Sequence, residues 1–125
     1  MSPEESRYPP DWQRIAGRDL DRSERMLADN DVEGAAFYVQ QALEKYLKAF
    51  LLSKGWALRR IHDLEVLLND ALPYDPSLEE FRALCQTATA YYLIERYPFS
   101  APAGLTIERV AQSLAEAKRL IERLG

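Results

Sequence analysis

An all-α fold, an up-and-down bundle of four long helices plus one short helix, is predicted by three features of the sequence. Apolar residues recur at three- and four-residue steps through most of the chain. Gly, Pro, Asn and Asp interrupt those stretches at intervals that suit helices. No segment shows the alternation of a strand or the turn of a hairpin.

The opening stretch, MSPEESRYPPDW, has no apolar core and does not read as a signal peptide. With three prolines in its first ten residues it forms an irregular lead-in, residues 1–10, to a single helical domain over 11–125. Trp12, Ala16, Leu20, Ser23 and Leu27 predict a first helix over about 11 to 29. ADNDVEG breaks it, and Asn30 or Asp31 can cap the next helix. That second helix, about 31 to 54, carries Val32, Ala36, Val39, Leu43, Tyr46 and Phe50, and Gly55 terminates it. A second line on it, Ala35, Ala42 and Ala49, repeats every heptad. Small side chains there permit close backbone approach, within the bundle or across a dimer.

A shorter third helix, about 62 to 72, has Leu64, Leu67, Leu68 and Ala71 on one side and Asp63 in its first turn. LPYDP is a turn. Ser77 and Glu80 then have capping-box spacing for a fourth helix over about 77 to 97, with the stripe Leu78, Phe81, Cys85, Ala88 and Tyr92. Pro98 ends it and leaves Arg96 in the last turn, where a cation suits the unpaired carbonyls. After PFSAPAG, Thr106 can cap a fifth helix carrying Ile107, Val110, Leu114, Ala117, Ile121 and Leu124.

The length of 125 residues suits one domain with one core. A net charge of −4 argues against a protein built around non-specific nucleic-acid binding. No apolar run is long enough for a membrane span. One cysteine, Cys85, allows no internal disulfide, and with the single histidine, His62, it makes no zinc cluster. A reduced, cytoplasmic protein without metal or cofactor is expected.

Within this acidic chain, Lys45, Lys48, Lys54, Arg59 and Arg60 form a run without an acidic residue. It is a solvated face or a surface for a nucleotide, RNA or an acidic partner. Glu44 and Lys48 have the spacing of a helical surface ion pair. Tyr91, Tyr92 and Tyr97 either pack in the core or present rings on which a base can stack. His62 fits a helix-start hydrogen-bonding residue or an acid–base group, and Cys85 a buried small hydrophobe.

AAFYVQQALEKYLKAFLLSKG, then HDLEVLL, then YYLIERYP, in that order over residues 12–122, resemble the small prokaryotic HEPN-domain proteins. The resemblance implies a four- or five-helix bundle, commonly a homodimer. It also implies pairing with a minimal nucleotidyltransferase encoded nearby, often as a toxin–antitoxin system. Many such proteins are metal-independent ribonucleases that carry an Arg followed after four to six residues by His. The chemistry explains the pair, since cleavage through a 2′-hydroxyl needs proton transfer and a cation for the phosphorane charge.

Arg96 stands where the arginine is expected, but positions 101 to 103 are Ala, Pro and Ala. His62 precedes Arg96 and belongs to the HDL motif, and Arg59 and Arg60 approach it at shorter spacing than the family's pair. Tyr97 does not replace the histidine, because an ordinary phenol titrates near 10. The expectation is a non-catalytic HEPN subunit binding a partner or nucleotide through Arg96, Tyr97, Tyr92, Lys45, Lys48, Arg59 and Arg60. The alternative is a degenerate or unconventional metal-independent ribonuclease using Arg96 and the tyrosines, with Arg96 and His62 as the catalytic candidates.

Overall fold

A computed structural model describes residues 6–94 and 104–125, and among them every regular element is helical. Helix α1 spans Pro9–Ala28 and starts two residues earlier than its apolar stripe suggests. Pro9 and Pro10 occupy its first turn, where no backbone donor is needed. Asn30 takes a positive φ of 61° in the turn that follows. Asp31 then caps α2, Val32–Ser53, by accepting from the Gly34 amide. A Cβ at Gly34 would sit 2.6 Å from both Met26 Sδ and Asp31 Oδ2, so those two side chains would have to shift to admit one.

Among the described residues, helices α1 and α2 make the most extensive helix–helix contact. Ser23 Oγ donates to the Ala35 carbonyl at 2.8 Å between them. Ala35, Ala42 and Ala49 are at most 1% exposed within the single chain, so the alanine line packs inside the bundle. Those side chains present no surface to a second copy.

Helix α3, Leu64–Ala71, is capped by Asp63, which accepts from the Glu65 and Val66 amides. Asp63 is therefore the cap rather than a first-turn residue. The fourth helical region is segmented into a 3₁₀ turn, Pro76–Phe81, then α4, Arg82–Thr89, then a second 3₁₀ turn, Ala90–Leu93. Its start also differs from the Ser77–Glu80 capping box. Asp75 caps it by accepting from the Ser77 amide and hydroxyl, while Glu80 pairs with Arg123 on the last helix. An aspartate before a proline satisfies the first turn with Pro76 at its pre-organised position, leaving Glu80 free for a tertiary contact. The expected end of this region at residue 97 lies outside the described residues.

Thr106 caps α5, Ile107–Leu124, by accepting from the Arg109 amide. Helix α2 touches every other α-helix. Its Val39, Leu43, Leu47 and Leu51 share a core with Leu64, Leu67 and Leu68 of α3, Leu84, Cys85 and Ala88 of α4, and Val110, Leu114 and Leu120 of α5. Among the described residues no helix is long and apolar enough to cross a membrane.

Candidate functional site

A second line of α2, Gln40, Glu44 and Lys48, runs one residue from the leucine line. Spacing of four places its members above one another on a single helix face. That face is covered by α1 and by the connector that follows α2, so Gln40, Glu44 and Lys48 are only 0%, 4% and 3% exposed. Glu44 and Lys48 therefore form a buried ion pair, contrary to the surface pair their spacing suggests.

Each side chain on this line has a partner. Lys48 Nζ donates to Glu44 Oε2 at 3.0 Å and lies 5.4 Å from the centre of the Trp12 ring. Gln40 Nε2 donates to Glu44 Oε1 at 3.1 Å and to the His62 carbonyl at 3.0 Å. His62 Nδ1 stands 2.9 Å from the same Glu44 oxygen, and a carboxylate there can only accept. The imidazole stacks on Tyr92, 4.3 Å between ring centres at 14°. These contacts bring His62 back from the chain reversal after α2, where Gly55 takes a φ of 87° that favours glycine.

Lys45, one residue after Glu44, turns toward α1 and pairs with Asp19, and also donates to Gln41 at 3.3 Å. Asp19 is buried on α1 and also accepts from Arg22 at 3.1 Å. From the connector, Arg59 reaches Asp70 at 3.6 Å, and Trp56 Nε1 holds the same carboxylate at 3.1 Å.

The result is a cavity of about 240 Å³. Glu44, Lys48 and Trp12 form part of its lining, and Lys45, Arg59, Arg60, His62 and Gln41 complete it. It unites five residues selected from sequence: Lys45, Lys48, Arg59, Arg60 and His62. Lys54 of the same basic run is not among them and lies over Phe50, 5.3 Å from the ring centre. Tyr92 joins the site behind His62, with one face of its ring covered by the imidazole. Tyr91 is a core residue whose hydroxyl meets Ser113 Oγ at 3.1 Å. Arg96 and Tyr97 lie outside the described residues.

His62 stands immediately before Asp63, the α3 cap, and its hydrogen bonds run to Gln40 and Glu44 of α2. Trp12, Asp19, Gln40, Gln41 and Glu44 are site residues that sequence reasoning does not select. Asp19 carries a signal, because it falls at the Trp12, Ala16, Ser23 spacing of the buried stripe, where an acid requires a partner. Cys85 is away from the cavity in the core, and burial pushes its thiol up to about 12.

These features define a small helical-bundle domain whose central helix carries a buried carboxylate, lysine and amide beneath a basic pocket. The HEPN domain model matches residues 6–125. The fold is also similar to the crystal structure of TT1696 from Thermus thermophilus. The TM-score is 0.80 at 29% identity, with 93% of this chain and 94% of that one covered. No curated protein sequence matches the chain. The chain belongs to the HEPN domain family.

Proposed function

We propose that this HEPN domain is a binding subunit that homodimerises and docks with a minimal nucleotidyltransferase in a toxin–antitoxin-like or nucleotide-binding system. The observation that supports it best is the pocket. Lys45, Lys48, Arg59 and Arg60 converge on one cavity although the chain as a whole carries a net charge of −4. Positive charge concentrated against an acidic background steers an anionic ligand or partner surface. The absence of histidine at positions 101 to 103 removes the family's proton-transfer group and favours binding over catalysis.

Co-expression with the products of adjacent reading frames tests the partnership. A nucleotidyltransferase should co-purify, and the complex should weaken as salt rises and when Arg59 and Arg60 are changed to Glu. Recovery of the chain alone from every pairing would refute the docking reading. Sedimentation of the isolated protein should give twice the 14.4 kDa chain mass, and a clean monomer would remove the dimer.

One observation favours a second reading, a degenerate metal-independent ribonuclease. His62 contacts Glu44 at 2.9 Å within a cavity that also contains Arg59 and Arg60, so an imidazole and two cations share a space. The deciding assay uses mixed-sequence RNA in excess EDTA with the parent, Arg96→Ala and His62→Ala. The binding reading expects no cleavage above background in any of the three. Robust cleavage lost in either variant would establish the ribonuclease instead.

A further inference from the structure

Two cations of α5 have partners elsewhere in the bundle: Lys118 meets Glu24 of α1 at 3.1 Å, and Arg123 pairs with Glu80. Arg109 and Glu116 of the same helix do not. Both line a groove of about 180 Å³ between α4 and α5, together with Ala83, Thr87 and Gln112. Neither of the two charged side chains has a partner among the described residues. They stand seven residues apart on one side of α5, about 10 Å along its axis, and do not meet within the chain.

Arg109 also runs against the needs of its own helix. Thr106 caps α5, so Arg109 is the third residue of the first turn. The free amides there favour an acid, and a glutamate at this position would complete a capping box with Thr106. A cation costs helix stability at this position, and its guanidinium makes no compensating contact in the single chain.

Opposite charges two turns apart are self-complementary. When a helix lies antiparallel against its own copy across a two-fold axis, residue i of one meets residue j of the other, and j meets i. With the axis beside Gln112, each Arg109 faces Glu116 of the second copy. Gln112 lies between the two charges, and an amide can both donate to and accept from its own copy. Ala111 and Ala115 are exposed beside this line and let a second helix approach closely. We infer that the α4–α5 face is where two copies of this chain meet, with α5 antiparallel to α5 and two symmetric Arg109–Glu116 pairs fixing the register. This inference rests on the homodimer reading and gives it a surface, since the alanine line of α2 is closed inside the bundle.

Sedimentation equilibrium of the full chain tests the face by charge reversal. Arg109→Glu and Glu116→Arg each turn two attractive contacts into two repulsive ones, and each should raise the dimer dissociation constant at least about tenfold. Mixed in equal amounts, the two variants should form a mixed dimer, because a chain with two acids then meets a chain with two arginines. The double variant Arg109→Glu/Glu116→Arg exchanges the partners and should recover the parent affinity. Arg18→Glu, a reversal on the exposed side of α1, should leave the dimer unchanged. Arg109→Glu supplies the capping box, and a variant that associates on mixing is folded, so loss of the dimer is not loss of the fold.

A parent dimer unaffected by either single reversal would leave the homodimer standing and overturn this face. A monomeric parent would remove both. Failure of the mixed variants to associate, or an equal loss from Arg18→Glu, would show a general charge effect and overturn the pairing. If the single variants stay dimeric but lose a co-purifying nucleotidyltransferase, the groove belongs to a different protein and its assignment to a second copy fails.

Discussion

Two lines of side chains run along α2 one residue apart, and both are buried. Val39, Leu43 and Leu47 face α3, α4 and α5, whereas Gln40, Glu44 and Lys48 face α1 and the connector. The apolar line gains stability by removing hydrocarbon from water and tolerates any neighbour of suitable shape. The polar line is buried only because each member has a named partner, including a carbonyl and an imidazole from 22 and 18 residues away. The first specifies a core; the second specifies which segment must return to it. That segment carries Arg59, Arg60 and His62, so the polar line also builds the pocket.

The largest expected effect comes from breaking the polar line on one side. Glu44→Ala leaves Lys48 without its buried counter-ion and should cost about 3–5 kcal/mol. Combining Glu44→Leu with Lys48→Met removes both charges and replaces them with apolar volume. The double variant should lose less than the sum of its single variants in urea denaturation. Gln40 keeps its bond to the His62 carbonyl, and the half-exposed imidazole can turn to water. Strict additivity would show that the pair is not energetically coupled, and the distinction between the two lines would lose its basis.

On the apolar line, Leu43→Ala should cost about 2–5 kcal/mol, because Leu43 is fully buried and its neighbours come from a packed core. The pocket should survive this change in any protein that still folds, because Leu43 does not line it. Retained docking of the nucleotidyltransferase with reduced stability is the expected result. Loss of affinity in proportion to stability would mean that the two lines do not have separate duties.

The same contrast explains what can be read from the sequence. Apolar periodicity finds the leucine line, and local chemistry finds the Asp31 and Thr106 caps. Both signals act within a few residues. The segmented fourth region escapes them because Asp75 and Glu80 each compete for a helix-start role, and only a tertiary contact draws Glu80 to Arg123. The pocket is half legible. Its cations cluster along the sequence, but Asp19 lies 26 residues before Lys45 and no local pattern pairs them. Glu44 and Lys48 have the spacing common on exposed helices, and their burial becomes apparent only when α1 and His62 arrive.

Cys85 gives the smallest effect and sets the lower end of the comparison, a buried ionisable group without compensation. Burial is the largest cause of its raised pKa, which lies at about 12 against an ordinary value of 9.0, and the nearby Arg82 opposes the shift only secondarily. Below pH 9.0 the thiol is protonated in both folded and unfolded chains, and its contribution to stability is fully present. Above 9.0 the unfolded chain releases this proton first, so stability falls as pH rises toward about 12. Tyr46, raised mainly by burial and then by Asp21, adds loss in the same direction above 10.0. Alkylation by iodoacetamide at pH 9.0 isolates the cysteine, because the thiolate is the reactive form. The denatured chain should react rapidly, and the folded chain should react only through opening of α4 against the core. Equal rates in the two states would place Cys85 within reach of solvent and contradict the packed apolar core around it. Slow native labelling accelerated by Leu43→Ala would instead connect the thiol to that core, since both side chains belong to the same buried cluster.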